Sequence, residues 1–88
     1  MQSVLQEAEG LVFGEREVEH GNMSVSFEQI SKMWSAYLGV SVEPKDVAAM
    51  MVLLKTVRLR AQYKRDTWVD IAGYAAIGSV LDGTTQRD

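Results

Sequence analysis

The most apolar stretch of the chain is residues 45–62, which read KDVAAMMVLLKTVRLRAQ. One stripe at helical spacing runs through it, formed by Val47, Met50, Leu54, Val57 and Ala61. Ala48, Met51 and Leu53 widen this stripe, so the first half of the stretch is apolar almost all round. The pattern predicts a central helix over this stretch, buried on several sides.

The segment before the central helix predicts another helix. Ser26 is a good N-cap for it, Ser24 is the alternative, and Gly39 ends it. Apolar residues recur between these limits at helical spacing, namely Phe27, Ile30, Met33, Trp34, Tyr37 and Leu38. Pro44 then suits the first turn of the central helix.

The two ends of the chain complete the predicted fold. Residues 4–12 predict a short helix weakened by Gly10, and a charged turn follows it. Beyond the central helix, residues 63–65 are the predicted connection, and Asp66 and Thr67 can cap a last helix. The fold class is therefore all-α, a small helical bundle of three main helices plus the short N-terminal one. Its last two helices form an antiparallel hairpin.

Length and composition restrict the class of protein. Eighty-eight residues make one domain, with an N-terminal helix and charged turn (1–22), a helical core (26–81) and a frayed tail (84–88). The hydrophobic fraction of 47% is more than a few short helices can bury, so we expect a homo-oligomer. The absence of cysteine excludes disulfides and cysteine nucleophiles. Without a membrane span or a signal-peptide pattern, we expect a cytoplasmic protein.

The net charge of −3 argues against general nucleic-acid binding, which needs a positive field. The stretch 55–65 differs, because it contains no acidic residue and five basic ones, namely Lys55, Arg58, Arg60, Lys64 and Arg65. This stretch could contact phosphate.

Two charged pairs on the last two helices form the main candidate site. Facing positions of an antiparallel hairpin have residue numbers with a nearly constant sum, so Lys55 can meet Asp70 and Arg58 can meet Asp66. These contacts can be structural salt bridges, each contributing about 1 kcal/mol or less if exposed. Alternatively they form a pocket, in which the bases hold phosphate and the acids bind a divalent metal such as Mg²⁺ or orient the bases. The apolar surroundings, among them the candidate ligand contact Tyr74, favour the pocket slightly.

Other polar and aromatic residues give weaker signals. Arg16 could hold phosphate while Glu19 or His20 orients it, but all three can equally be solvated turn residues. Three aromatic residues could stack on a base, yet their helical spacing favours the core: Trp34, Tyr37 and Trp68.

Several motifs together carry a resemblance over nearly the whole chain. They are Gly14-Glu15-Arg16-Glu17, Glu19-His20-Gly21, residues 27–34, Asp46-Val47-Ala48, residues 51–55, Arg58-Leu59, and residues 66–75 with the pattern Asp-x-x-x-Asp-x-x-Gly-Tyr. In these motifs the chain is similar to small phage and prophage proteins of unassigned function. Such proteins look like distant relatives of MazG-like all-α nucleotide pyrophosphohydrolases and of nucleotide-modification-associated domains.

The resemblance implies a chemistry for the site. Catalytic MazG-like enzymes hold Mg²⁺ on a nucleoside triphosphate with acidic clusters from two helices, and water attacks between the α- and β-phosphates. By this resemblance Asp66 and Asp70 take the place of the second acidic motif. The central helix departs from the pattern, because it carries Lys55 and Arg58 instead of a Glu-Glu-x-x-Glu cluster.

Three functions are consistent with these features. The first is a phage-type protein that binds a nucleotide or other phosphate ligand, as a relative of (d)NTP pyrophosphohydrolases, in the cytoplasm of a bacterial host. The second is a non-catalytic phage accessory protein that sequesters a host signalling nucleotide. The third is a helical protein-interaction module whose charge pairs are purely structural.

Overall fold

The computed structural model describes residues 2–13 and 23–82. Within these ranges the chain forms no strand and four helices: α1 (Val4–Phe13), α2 (Met23–Leu38), α3 (Pro44–Ala61) and α4 (Arg65–Leu81). The predicted all-α class is therefore confirmed. The predicted charged turn and C-terminal tail lie outside the described residues. None of the described helices is long and apolar enough to cross a membrane.

Helices α3 and α4 form the predicted antiparallel hairpin, and the other two helices pack on its two members. Helix α1 packs on α4, and α2 packs on α3. One core cluster joins the described helices and contains Val12, Phe27, Val47, Ala48 and Ile77. The hairpin therefore positions the two ion pairs between α3 and α4 that are described below.

The turn between α2 and α3 is fixed by local hydrogen bonds. Gly39 adopts a φ of 74° just after α2, which glycine tolerates best, and its N–H donates to the Ser35 carbonyl. The Ser35 hydroxyl accepts from the N–H of Val42 and donates to its carbonyl. The N–H of Glu43 then donates to Asp46 Oδ2 at 2.9 Å, and α3 begins at a proline as predicted.

Two helices begin earlier than predicted, because tertiary contacts extend their first turns. Helix α2 begins at Met23 instead of after a Ser26 cap, and Met23 packs against the core. Helix α4 begins at Arg65, which donates to Glu7 Oε2 at 2.7 Å and so ties α4 to α1. The predicted caps Asp66 and Thr67 therefore lie inside α4.

Helix α3 is buried at its start, where the sequence is apolar almost all round, but apolar residues of its second half are exposed. Val47 and Ala48 are each only 1% exposed, as expected for a central helix. Leu53 and Val57, however, are 65% and 66% exposed. Among the described residues, α2 and α4 pack on α3 and leave this side uncovered.

Two of the three aromatic residues expected in the core lie at the surface. Trp34 is half-buried against the core cluster, but Tyr37 is 88% exposed and Trp68 is 46% exposed. Trp68 lies about 140° around α4 from Gly73, the residue that faces α1. Its helical spacing is regular, but its face of α4 is only partly covered.

At the open end of the hairpin, Lys45 Nζ lies 3.3 Å from Asp82 Oδ1. The hydrogen bond and charge of Asp82, followed by the charge of Glu43, raise the pKa of Lys45 above 10.5. Because this pKa is raised, the contribution of the Lys45 ammonium group to the stability of the fold is complete below pH 10.5 and is lost as pH rises through the folded-state pKa.

We expect Asp82→Asn to lower the pKa of Lys45, measured by NMR titration of the lysine side chain. An unchanged pKa would show that Asp82 is not its cause.

Candidate functional site

The predicted contact between Lys55 and Asp70 is present across the hairpin. Lys55 Nζ on α3 donates to Asp70 Oδ2 on α4 at 2.9 Å. The Lys55 side chain is only 18% exposed, whereas that of Asp70 is 38% exposed. The aliphatic stem of Lys55 is therefore largely covered, and its ammonium group is held at one place by a carboxylate.

The second predicted contact, between Arg58 and Asp66, is not present. Both residues are exposed. They form no ion pair with each other, and neither forms one with any other described residue. Arg58 lies about 60° around α3 from Lys55, and Asp66 lies about 40° around α4 from Asp70. Arg58 is therefore a solvated cation one turn from Lys55, available to an anionic ligand.

A cavity of about 400 Å³ lies beside Asp70, between α1, α2 and α4. Its walls are mostly apolar and are formed by Ala8, Leu11, Val12, Met23, Val69, Gly73 and Ile77. Two polar residues complete the lining, namely Asp70 and Tyr74. Asp70 therefore connects the cavity with the ion pair, because it lines the cavity and also accepts a hydrogen bond from Lys55.

Packing positions the polar edge of this cavity. The Tyr74 ring lies against Phe27, with the ring centroids 6.3 Å apart and the planes inclined at 43°. A Cβ at Gly73 would lie 3.4 Å from Val12 Cγ2, so α1 approaches α4 closely at this residue. The predicted ligand contact Tyr74 is therefore a cavity residue with a defined ring position.

The other predicted site residues belong to the charged turn predicted after α1. Arg16, Glu19 and His20 lie outside the described residues. Val12 near the end of α1 and Met23 at the start of α2 both line the cavity. The apolar lining from α1 was not predicted from sequence, because such residues carry no chemical signal.

Besides Lys55, Arg65 of the basic stretch also has structural partners. Arg65 donates to Glu7 Oε2 at 2.7 Å and to the Gln2 carbonyl at 3.0 Å. These bonds tie the N-terminal helix to the start of α4. Lys55 and Arg58 remain the predicted phosphate contacts on α3.

The carboxylates fit a magnesium ion only weakly. Within residues 2–13 and 23–82, no group of three or more His, Cys, Asp and Glu is arranged to hold a metal. Mg²⁺ can bind through one or two carboxylates together with phosphate oxygens and water, and Asp66 and Asp70 lie one turn apart on α4. Asp70 Oδ2, however, already accepts from the Lys55 ammonium, and a dication there would be repelled by it.

Comparison with known proteins gives a family and phage relatives. A family model described as "Domain of unknown function (DUF6378)" matches residues 3–82. "Gene 55 protein" of Mycobacterium phage L5 is 44% identical over 77 residues, which cover 85% of this chain and 49% of the relative. "Gene 55 protein" of Mycobacterium phage D29 is 39% identical over 75 residues, covering 84% of this chain and 50% of the relative. The chain therefore spans about half the length of these relatives.

The comparisons confirm the coarser part of the predicted resemblance. Both relatives are phage proteins, and the family has no assigned function, as the motifs indicated. The resemblance to MazG-like enzymes is not shown and stays a prediction. No solved structure matches the chain significantly.

Proposed function

Because this chain belongs to the DUF6378 family, to which no function is assigned, we propose a function from the site: binding of a nucleotide beside the α3–α4 hairpin. One observation carries this proposal. Lys55, a largely buried cation, is held by Asp70, and Asp70 also lines an apolar cavity of about 400 Å³. A cation and a cavity of this size on either side of one carboxylate suit an amphipathic ligand with a phosphate end.

The two ends of a nucleotide match the two features. Lys55 and the exposed Arg58 supply donors for phosphate oxygens, and charge-assisted bonds of this kind are the stronger ones. The apolar walls of the cavity suit the faces of a nucleobase. At the polar edge, Asp70 can accept from an N–H of the base and Tyr74 can contact its ring.

In this proposal Asp70 orients Lys55 and Asp66 remains the residue open to a metal. The 2.9 Å contact with Lys55 supports the orienting role. It also favours binding without turnover, as in a phage accessory protein that sequesters a host signalling nucleotide, over hydrolysis with Mg²⁺. Arg16 stays a predicted phosphate contact of the same protein, with Glu19 or His20 orienting it, and the host cytoplasm stays its predicted location.

A second candidate is the protein-interaction module. The exposed apolar side of α3 favours it, because large apolar patches on small proteins mark interaction surfaces. In that case the Lys55–Asp70 bond is purely structural and no nucleotide binds. The two candidate functions therefore differ in whether the protein binds a nucleotide, which can be measured.

A thermal-shift screen tests the proposed function. The chain is heated with nucleoside triphosphates and cyclic nucleotides, each with and without Mg²⁺, and every stabilising compound is checked for turnover. A ligand at a hundredfold excess over its Kd adds about 2.7 kcal/mol to the free energy of unfolding, which shifts the Tm of a domain of this size by roughly 10–20 °C.

The outcomes of the screen separate the candidates. Stabilisation without turnover supports the sequestering form of the proposal. Magnesium-dependent conversion to monophosphate and pyrophosphate establishes the hydrolytic form instead. If no nucleotide shifts Tm, the proposal is wrong and the interaction module takes its place.

A further inference from the structure

Helix α3 carries an uncovered apolar face, here called the α3 stripe: Met50, Leu53, Leu54, Val57 and Ala61. All of its members are exposed, although they repeat at the spacing of one helical face. Of the two buried residues of α3, Ala48 lies on the far side of the helix from the stripe, and Val47 lies about 60° from the centre of the stripe, near the start of the helix. We propose that the α3 stripe is covered by the α3 stripe of a second copy of this chain, paired antiparallel about a twofold axis.

The spacing within the stripe is symmetric. Met50, Leu53, Leu54 and Val57 have the same separations read in either direction along the chain. A second α3 running antiparallel therefore presents apolar residues at the same heights. With the axis between Leu53 and Leu54, Leu53 faces the partner's Leu54, and Met50 faces the partner's Val57. A twofold interface requires such self-complementarity.

The charges of α3 select the antiparallel direction. Asp46 lies in the first turn of the helix, whereas Arg58 and Arg60 lie in its last turn. These two arginines flank the stripe on opposite sides, each about 80° from its centre. Antiparallel pairing brings the basic end of each α3 toward the acidic end of the other, and it also opposes the two helix dipoles. Parallel pairing would place like charges together.

Sedimentation velocity of the full chain, run as a concentration series up to millimolar, tests whether this dimer forms. We expect the wild type to be a dimer and Leu53→Glu to be a folded monomer with unchanged helical circular dichroism. Leu5→Glu is the matched control, because Leu5 is 73% exposed on α1, and it should stay dimeric. A wild type that is monomeric throughout the series overturns the proposal and leaves the stripe to a different protein partner.

Disulfide trapping tests the geometry and does not depend on the effect of a buried charge. The chain contains no cysteine, so a single introduced thiol can pair only between copies. Leu54→Cys lies next to the proposed axis and should form a covalent dimer under mild oxidation, whereas Leu5→Cys should not. A dimer that tolerates Leu53→Glu, or that Leu54→Cys fails to cross-link, uses another surface and contradicts this pairing. Neither test involves a nucleotide, so each outcome is independent of the proposed function.

Discussion

Gly78→Val should lower the free energy of unfolding by about 2 kcal/mol, because it overfills the contact between the two hairpin helices. A Cβ at position 78 would lie 3.3 Å from the Cβ of Ala48, which is only 1% exposed. Valine adds two further methyl groups at this point, so α3 and α4 must separate. The loss exceeds the few tenths of a kcal/mol that valine gains over glycine in helix propensity. Urea denaturation followed by circular dichroism measures it.

Gly10→Val is the matched control for this prediction. Gly10 also lies in a helix, α1, but a Cβ there would meet nothing within 4 Å. The same substitution should therefore change stability by no more than about 0.5 kcal/mol, and in the stabilising direction. Similar losses at the two glycines would contradict the close approach of α3 and α4 at Gly78. Together the variants separate helix propensity from packing.

The hairpin and its central ion pair could be predicted because the regular rise of a helix determines how far along the hairpin axis each residue lies, here called its height. Lys55 with Asp70 and Lys45 with Asp82 have nearly the same sum of residue numbers, as expected for antiparallel neighbours. The small residue Gly78 meets Ala48 at a matching height. Height alone was therefore enough to identify Lys55 and Asp70 as partners.

The predicted contact between Arg58 and Asp66 failed because height does not specify the angle around each helix. Ala48 marks the side of α3 that meets α4, and Lys55 lies within about 20° of it, whereas Arg58 lies about 80° away. Asp66 is also farther than Asp70 from the contact side of α4. Angles of this kind follow from how the helices pack, which spacing within one helix does not determine.

The burial of α3 shows the same limit. Two sides of this helix are apolar, one containing Ala48 and the other containing Leu53 and Val57. The sequence pattern cannot tell which side is covered by the rest of the chain. The structure covers the first and exposes the second. Similarly, the cavity wall that α1 provides depends on contacts between residues distant in sequence, such as Val12 and Gly73.

Lys55→Met should weaken nucleotide binding by roughly ten- to a hundredfold, since a hydrogen bond to a charged group is worth about 1.5–3 kcal/mol. Methionine keeps most of the stem of this largely buried side chain and removes only its ammonium group. Removing a partly exposed ion pair costs only about 1 kcal/mol or less, so the fold should persist. Calorimetric titration with the nucleotide that gives the largest thermal shift measures the affinity.

Lys45→Met is the matched control, because Lys45 also joins α3 to α4 through an aspartate but lies at the open end of the hairpin, away from the Lys55–Asp70 pair. It should leave the affinity unchanged. If both lysine variants lower Tm slightly and bind the nucleotide as the wild type does, the Lys55–Asp70 bond is structural and the ligand binds elsewhere. A selective loss of binding in Lys55→Met would show that the Lys55–Asp70 pair belongs to the binding site.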